Sequence, residues 1–414
     1  MITDPPISSL MQNLDENSLD CAVSKPDLAE QRQEFRGLSN KVYFNFGGQG
    51  TLPKAGLEAI IDAHNFLQQQ GPFSGRVNDW ITRKTELLRQ EMAQELGISP
   101  STLSITEDVT VGCNIALWGV DWQAGEHILL TDCEHPGIIA TVREIARRYH
   151  LEISTCPIRE TLNGGNPIEV ISAHLRPKTR VLVVSHVPWN TGQVLPLKEI
   201  SQLCHDNSVT EKPVLVVVDA AQSVGCLPLD LSATGADCYA FTGHKWWCGP
   251  AGVGGLYIRP EIFPSLQPTF IGWRGIETDN RGKPIGWKPD ARRFEVATSA
   301  YPQFEGLRAT IAVHNAWGDG GQRYEKICQL AAYLWGELKT IKGVKCLKNS
   351  PPESGLVSFQ IDSAITPQKL VQQLEKQGFL LRTLLDPLSV RACVHYFTLS
   401  SEIEQLVAAI KKLV

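Results

Sequence analysis

Two short stretches hold residues that could do chemistry together. Asp219-Ala220-Ala221-Gln222 closes the apolar run PVLVVVD, and Thr242-Gly243-His244-Lys245 ends in a lysine 26 residues beyond that aspartate. A desolvated lysine loses its proton and becomes a nucleophile toward carbonyl groups, which is what an imine link to a carbonyl compound requires. The run that follows, WWCGPAGVGGLY, is apolar and rich in glycine, so it could lie close against a planar ring. Alone, the same lysine would serve equally well as a solvated loop cation. Other residues bear on the choice: the apolar runs HILLTDCEH and TRVLVVSHVPW deliver Glu134-His135 and Pro188-Trp189-Asn190 at their ends. Any one of these fits a cap or a turn. Several on one edge, with Lys245 following, fit a binding site.

The elements that would carry them follow from periodicity. Uninterrupted rather than alternating hydrophobicity in these runs predicts strands buried on both faces, and Ile138–Tyr149 and Leu197–Asp206 read as the helices between them. That pattern predicts a mainly parallel sheet with functional residues at the carboxyl ends of its strands. Upstream, KVYFNFGGQGTLP reads as a strand ending in glycines, and Leu57–Gln70 and Val77–Leu96 as helices, the second stopped by Gly97. From Arg259 to Arg293 the chain is rich in proline and tryptophan and reads as a loop excursion. Beyond it, LVSFQID, FLLRTLL and VRACVHYFT read as strands. One helix runs from Thr366-Pro367 to Gly378, and a last helix begins with Ser401 and Glu404 at capping-box spacing. The expectation is an α/β protein with an N-terminal arm over 1–35, a large domain over 36–305 and a small α+β domain over 306–414.

Bulk properties narrow the function. The 414 residues are 43% hydrophobic and 20% charged, enough for a large core. A net charge of -5 gives no electrostatic reason to expect nucleic acid or an anionic membrane as partner. No bilayer-length apolar run is present, and the acidic opening MITDPPISSLMQNLDENSLD lacks the basic region of a secretory leader, so a cytoplasmic location is expected. The 11 cysteines form no CxxC pair, which argues against a zinc cluster or a secreted disulfide framework.

The order of these motifs, an apolar strand into Asp219-Ala220-Ala221-Gln222 and then Thr242-Gly243-His244-Lys245, resembles the class V aminotransferase family of pyridoxal 5'-phosphate (PLP) enzymes. The likeness runs from Tyr43 onward. It implies fold type I, with Lys245 as the lysine that carries the cofactor and Asp219 as partner of the pyridine nitrogen. Gln222 would donate to the phenolic oxygen and His135 would lie against the ring. The phosphate would meet Thr110 and the Val111 N–H at a helix start, with Thr242 and His244. Thr298 resembles a threonine that reaches the phosphate of a neighbouring subunit, which implies a homodimer with shared sites. Arg382 matches the arginine for the substrate's α-carboxylate, with Asn190 as helper.

The departures from the family bear on the reaction. Cysteine desulfurases of the family carry a sulfur-accepting cysteine in a mobile loop; the stretch matched to that loop, Thr383 to Arg391, has none, and Cys393 lies in a strand-like run. FNFGGQG, HPGI, VPWNTGQVLP and GWRG are instead similar to the carbon–sulfur lyases of the family. That likeness implies β-elimination of cystine, and less well of cysteine, to pyruvate, ammonia and cysteine persulfide. The sulfur would pass toward an acceptor protein and iron–sulfur cluster assembly. Arg391 and Trp273 are the candidates for the second end of cystine. The competing expectations are a desulfurase that yields alanine, an epimerase or a transaminase.

Overall fold

The computed structural model describes residues 26–207 and 213–414. Seven strands form the main sheet, in the spatial order Leu103–Thr106, Gly254–Ile258, Cys238–Thr242, Leu215–Asp219, Thr179–Ser185, His127–Thr131 and Glu152–Cys156. All adjacent pairs are parallel except the two made by Gly254–Ile258, which runs against both neighbours. The expected strands are there, and the reason for their unbroken hydrophobicity is visible. Along Leu215–Asp219, Val216 and Val218 enter one core while Leu215 and Val217 enter the other, because alternate side chains face opposite sides. Helix Gly75–Leu96 contributes Leu88, Met92 and Leu96 to the first core, and helices Val109–Trp118 and Pro136–Tyr149 cover the second. With both faces covered, the carboxyl ends of the parallel strands form one open edge.

The C-terminal part has its own sheet, an antiparallel set ordered Val344–Cys346, Leu356–Ile361, Leu388–Cys393 and Arg382–Leu385. Helices Gly320–Lys339, Pro367–Lys376 and Ser400–Leu413 supply the side chains that close its core. The run FLLRTLL divides into two strands, Phe379–Leu380 and Arg382–Leu385, and the first pairs in parallel with Val42–Tyr43. The start of the chain therefore adds a strand pair beside the end. Helix Tyr301–Trp317 spans the expected boundary at 305 and packs along helix Lys54–Gln70, where Gly56 and Gly306 let the two axes approach.

Of the expected arm, residues 1–25 lie outside the described residues. The remainder holds helix Leu28–Gln33, capped by Asp27, and anchors Phe35 in the core. The last helix begins at Ser400, and Glu402 rather than Glu404 accepts the N–H of Leu399, so the capping pair expected at Ser401 and Glu404 is not formed. The helix phase is set by Ile403, Leu406, Val407 and Ile410 entering the core, and that overrides the local spacing. Among the described residues no helix is long and apolar enough to cross a membrane.

Candidate active site

Lys245 stands where strand Cys238–Thr242 leaves the sheet, in a turn whose backbone is gripped from outside. The His244 carbonyl accepts the Gly50 N–H at 2.7 Å, and a Cβ on Gly50 would lie 2.3 Å from the Lys245 carbonyl oxygen. Glycine in FNFGGQG is thus required by contact with the lysine turn. Desolvation lowers the Lys245 pKa to about 8, against the opposing pull of Asp219, so the neutral amine is far more accessible near neutrality than on an ordinary lysine.

The pocket around Lys245 is lined by Asp108, Val109, Thr110, His135, Ser185, Val187, Trp189, Asp219, Ala221, Gln222 and His244. Every parallel strand flanking it contributes from its carboxyl end. Asp219 is buried, and its carboxylate accepts the Ala221 N–H at 2.9 Å; burial raises its pKa because no full cation pairs with it directly. Gln222 is held between Trp246 and the Gly47 carbonyl. His135 caps helix Pro136–Tyr149 by accepting the Gly137 N–H on Nδ1 at 3.2 Å, and its ring meets Trp189 edge-on with centroids 5.7 Å apart. Desolvation lowers its pKa and favours the neutral ring.

The helix start differs in detail from expectation. Asp108 caps helix Val109–Trp118 by accepting the Val111 N–H at 2.9 Å, so that amide is already used. Val111 lines a neighbouring cavity, while Val109 and Thr110 line the Lys245 pocket and offer the first-turn amides. Thr242 and His244 are hydrogen-bonded to each other through Oγ1 and Nδ1. Thr298 is exposed and lies in the neighbouring cavity with Thr110 and Asn114, outside the Lys245 pocket. Trp273 is 62% exposed, on the excursion that also exposes Phe270, Ile271 and Ile285.

The two arginines lie at different depths. Arg382 and Arg391 are direct cross-strand partners, so both side chains project from one face of the sheet. Arg391, on the inner strand, is 3% exposed; it donates to the Trp189 carbonyl at 2.8 Å and reaches Asn45 at 3.5 Å. Its charge lowers the proton affinity of both Lys245 and His135. Arg382, on the outer strand, is exposed. Three buried polar atoms here lack a partner: Arg391 Nε, Trp189 Nε1 and Asn190 Oδ1. Asn190 spends its Nδ2 on the Asp386 carbonyl at 3.1 Å.

Sequence reasoning placed Glu134 and Trp189 at strand ends without giving either a role, and did not single out Ser185. Glu134 accepts from Thr131 Oγ1 at 2.6 Å, the Ser185 N–H at 2.8 Å and Ser185 Oγ at 2.8 Å, which ties two strand ends together beneath His135. The signal available was its place beside His135 at a strand end.

The residues 57–397 match the model of the aminotransferase class V family. The chain belongs to that family. Class V enzymes depend on PLP, and this enzyme does too. Two solved structures of C-DES superpose closely on this class V enzyme. One, a mutant with glycine covalently linked to the PLP cofactor, has a TM-score of 0.91 and 49% identity, covering 93% of this chain and 99% of that one. The other is the complex of the cystine C-S lyase C-DES with its reaction product cysteine persulfide, with TM-score 0.89, 50% identity and coverage of 91% and 99%. Isopenicillin N epimerase of Streptomyces clavuligerus is 30% identical over 266 residues, 61% of this chain and 64% of that protein. A cysteine desulfurase of Haloferax volcanii is 27% identical over 394 residues, 89% and 88% of the two chains.

The residues present suit PLP. Asp219 is a buried carboxylate without a full cationic partner, as a protonated pyridine nitrogen requires; Lys245 is a buried amine of lowered pKa; and an anion would meet a helix start beside Thr242 and His244.

Proposed function

We propose that this class V enzyme eliminates the β-sulfur group of L-cystine, and less well of L-cysteine. The products from cystine and one water are pyruvate, ammonia and cysteine persulfide. The observation that carries this reading is the pairing of the Lys245 pocket with the absence, among the described residues, of a thiol lining it. No cysteine lies between Cys346 and Cys393 in the sequence. Cys393, two residues past Arg391 and close enough to influence Lys245, is fully buried, and burial pushes its pKa up. A buried neutral thiol is a poor sulfur acceptor, because the thiolate is the nucleophile. The likeness to the cystine C-S lyase C-DES supports the same reading.

PLP, when bound, supplies an electron sink for the substrate Cα. Lys245 would hold it, and its Nζ would serve as the base for the Cα proton. Asp219 would pair with the ring nitrogen, His135 would lie against the ring, and Val109, Thr110, Thr242 and His244 would hold the phosphate. Arg391, with its unpartnered Nε and the Trp189 indole N–H beside it, binds the α-carboxylate. Arg382, farther out on the same sheet face, meets the distal carboxylate of cystine. This exchanges the two arginine roles inferred from sequence. Cystine is preferred because a persulfide leaves more readily than a thiolate. The enzyme works as a homodimer, with Thr298 serving the partner's phosphate; the exposed Phe270, Ile271, Trp273 and Ile285 support a covered face there. The persulfide passes to an acceptor protein for iron–sulfur assembly.

Purified enzyme incubated with cystine or cysteine is expected to yield pyruvate with sulfane sulfur, and Lys245→Ala to yield neither. Alanine in place of pyruvate would overturn the assignment.

A further inference from the structure

We propose that Trp246 is a positioning residue that fixes which end of the Gln222 amide faces the cofactor, and that His395 holds Trp246 in place from the C-terminal part of the chain. The inference rests on the reading above that Gln222 faces the ring oxygen.

The two ends of a glutamine amide are nearly equal in size, so only their partners decide the orientation. Trp246 Nε1 can only donate, and it reaches Gln222 Oε1 at 2.9 Å in a fully buried contact. The Gly47 carbonyl can only accept, and it takes one Gln222 N–H at 2.8 Å. Both bonds agree on one orientation. The amide carbonyl is occupied by the Trp246 N–H, and the second Nε2–H is left for the pocket that Gln222 and Lys245 both line. Gln222 therefore presents a donor, which favours an anionic oxygen on the ring over a protonated one.

The indole is fixed independently. The Trp246 backbone carbonyl accepts His395 Nε2–H at 2.8 Å, and the two rings stack with centroids 5.9 Å apart and planes 25° from parallel. His395 Nδ1 accepts the Tyr396 N–H at 3.0 Å, which sets the tautomer that puts the proton on Nε2. On the other side a Cβ at Gly355 would lie 2.5 Å from the indole, so the smaller sheet leaves room for this ring. The C-terminal part thus acts on cofactor chemistry through one indole, without touching the cofactor.

The test is the visible absorbance of the lysine-bound cofactor as a function of pH in the holoenzyme, with Trp246→Phe and with Trp246 replaced by 3-benzothienylalanine. The latter keeps the ring shape and removes only the N–H, so it carries the test if Trp246→Phe fails to fold. Losing a donor to an anionic oxygen favours the protonated form. The titration midpoint is expected to rise by about one unit, a roughly tenfold gain in proton affinity, the scale of a lost hydrogen bond to a charged group. Gln222→Leu should give a similar rise, and combining it with either Trp246 change should add nothing. An unchanged midpoint in the isosteric variant beside a shifted Gln222→Leu, or fully additive shifts, would overturn the positioning role alone. An unshifted Gln222→Leu would instead remove the reading on which it rests.

Discussion

Arg391 and Arg382 are one cross-strand step apart, yet one is 3% exposed and the other lies exposed on the outer strand. A buried guanidinium with an unpartnered Nε is costly unless an anion completes it. Arg391→Lys is therefore expected to raise KM for cystine and cysteine alike by about 100-fold, since an ammonium cannot reproduce the planar fork. Arg382→Ala should raise KM for cystine by about tenfold and leave cysteine nearly untouched, the scale of one exposed charged contact. Steady-state kinetics on the two substrates checks both, and equal effects of Arg382→Ala on the two would remove its distal role. Lys245 carries a prediction of its own. Its proton affinity is lowered to about 8, so the neutral amine grows as pH rises through that value. The rate at which cofactor-free protein captures PLP, followed by absorbance, should climb through about pH 8 and then level off.

Among the elements, the hairpin of Arg382–Leu385 and Leu388–Cys393 has the most direct bearing on the site. Its tip is tied to the larger sheet's side by Asp386, whose carboxylate accepts from Arg159 at 2.6 Å and whose carbonyl accepts from Asn190. Asp386 is 74% exposed in its side chain, so the ion pair itself should add only about 0–1 kcal/mol to stability. Its value is geometric, because the hairpin carries both arginines. Asp386→Ala is expected to leave the melting temperature nearly unchanged while raising KM for cystine severalfold. A large fall in melting temperature without a change in KM would show the contact to be structural only. Glu134 acts in the opposite way at the other edge. Removing its three hydrogen bonds by Glu134→Ala strands two buried hydroxyls and an amide, and should cost about 2–4 kcal/mol in urea unfolding.

Over the whole molecule, buried histidines contribute to the acid limit, His186, His314 and His395 among them. Desolvation lowers His186 to about 4 and His395 to about 3, and pushes His314 well down beside His395. Their folded proton affinities lie below the unfolded ones, so the unfolded chain binds more protons from pH 6.5 down to about 4. Stability from these groups is full above pH 6.5 and is lost as pH falls through that window. Urea unfolding between pH 7 and 4.5 should show this slope, and His395→Gln should reduce it. The same two histidines, His314 and His395, accept or donate around Tyr396, which also receives Gln31 at 2.6 Å from the first helix. That contact joins residues 365 positions apart in one buried cluster.

The residues themselves determined the sheet and the lysine site. Long apolar runs must be buried on both faces, so the parallel sheet was readable. Polar residues at its strand ends, with Lys245 at fixed distance from Asp219, made the pocket readable too. Depth was not readable. Arg382 and Arg391 look alike as letters, and only the pairing of their strands decides which one loses its water. The Val111 amide is taken by the Asp108 cap, a contact that spacing alone does not reveal, and Ser401 and Glu404 yield to a helix phase set by core packing. Lys245 was marked by sequence as the reactive group. What surrounds it, from Gly50 beneath its carbonyl to the indole that turns Gln222, depends on contacts between segments far apart in the chain, and those arise only when the tertiary structure closes.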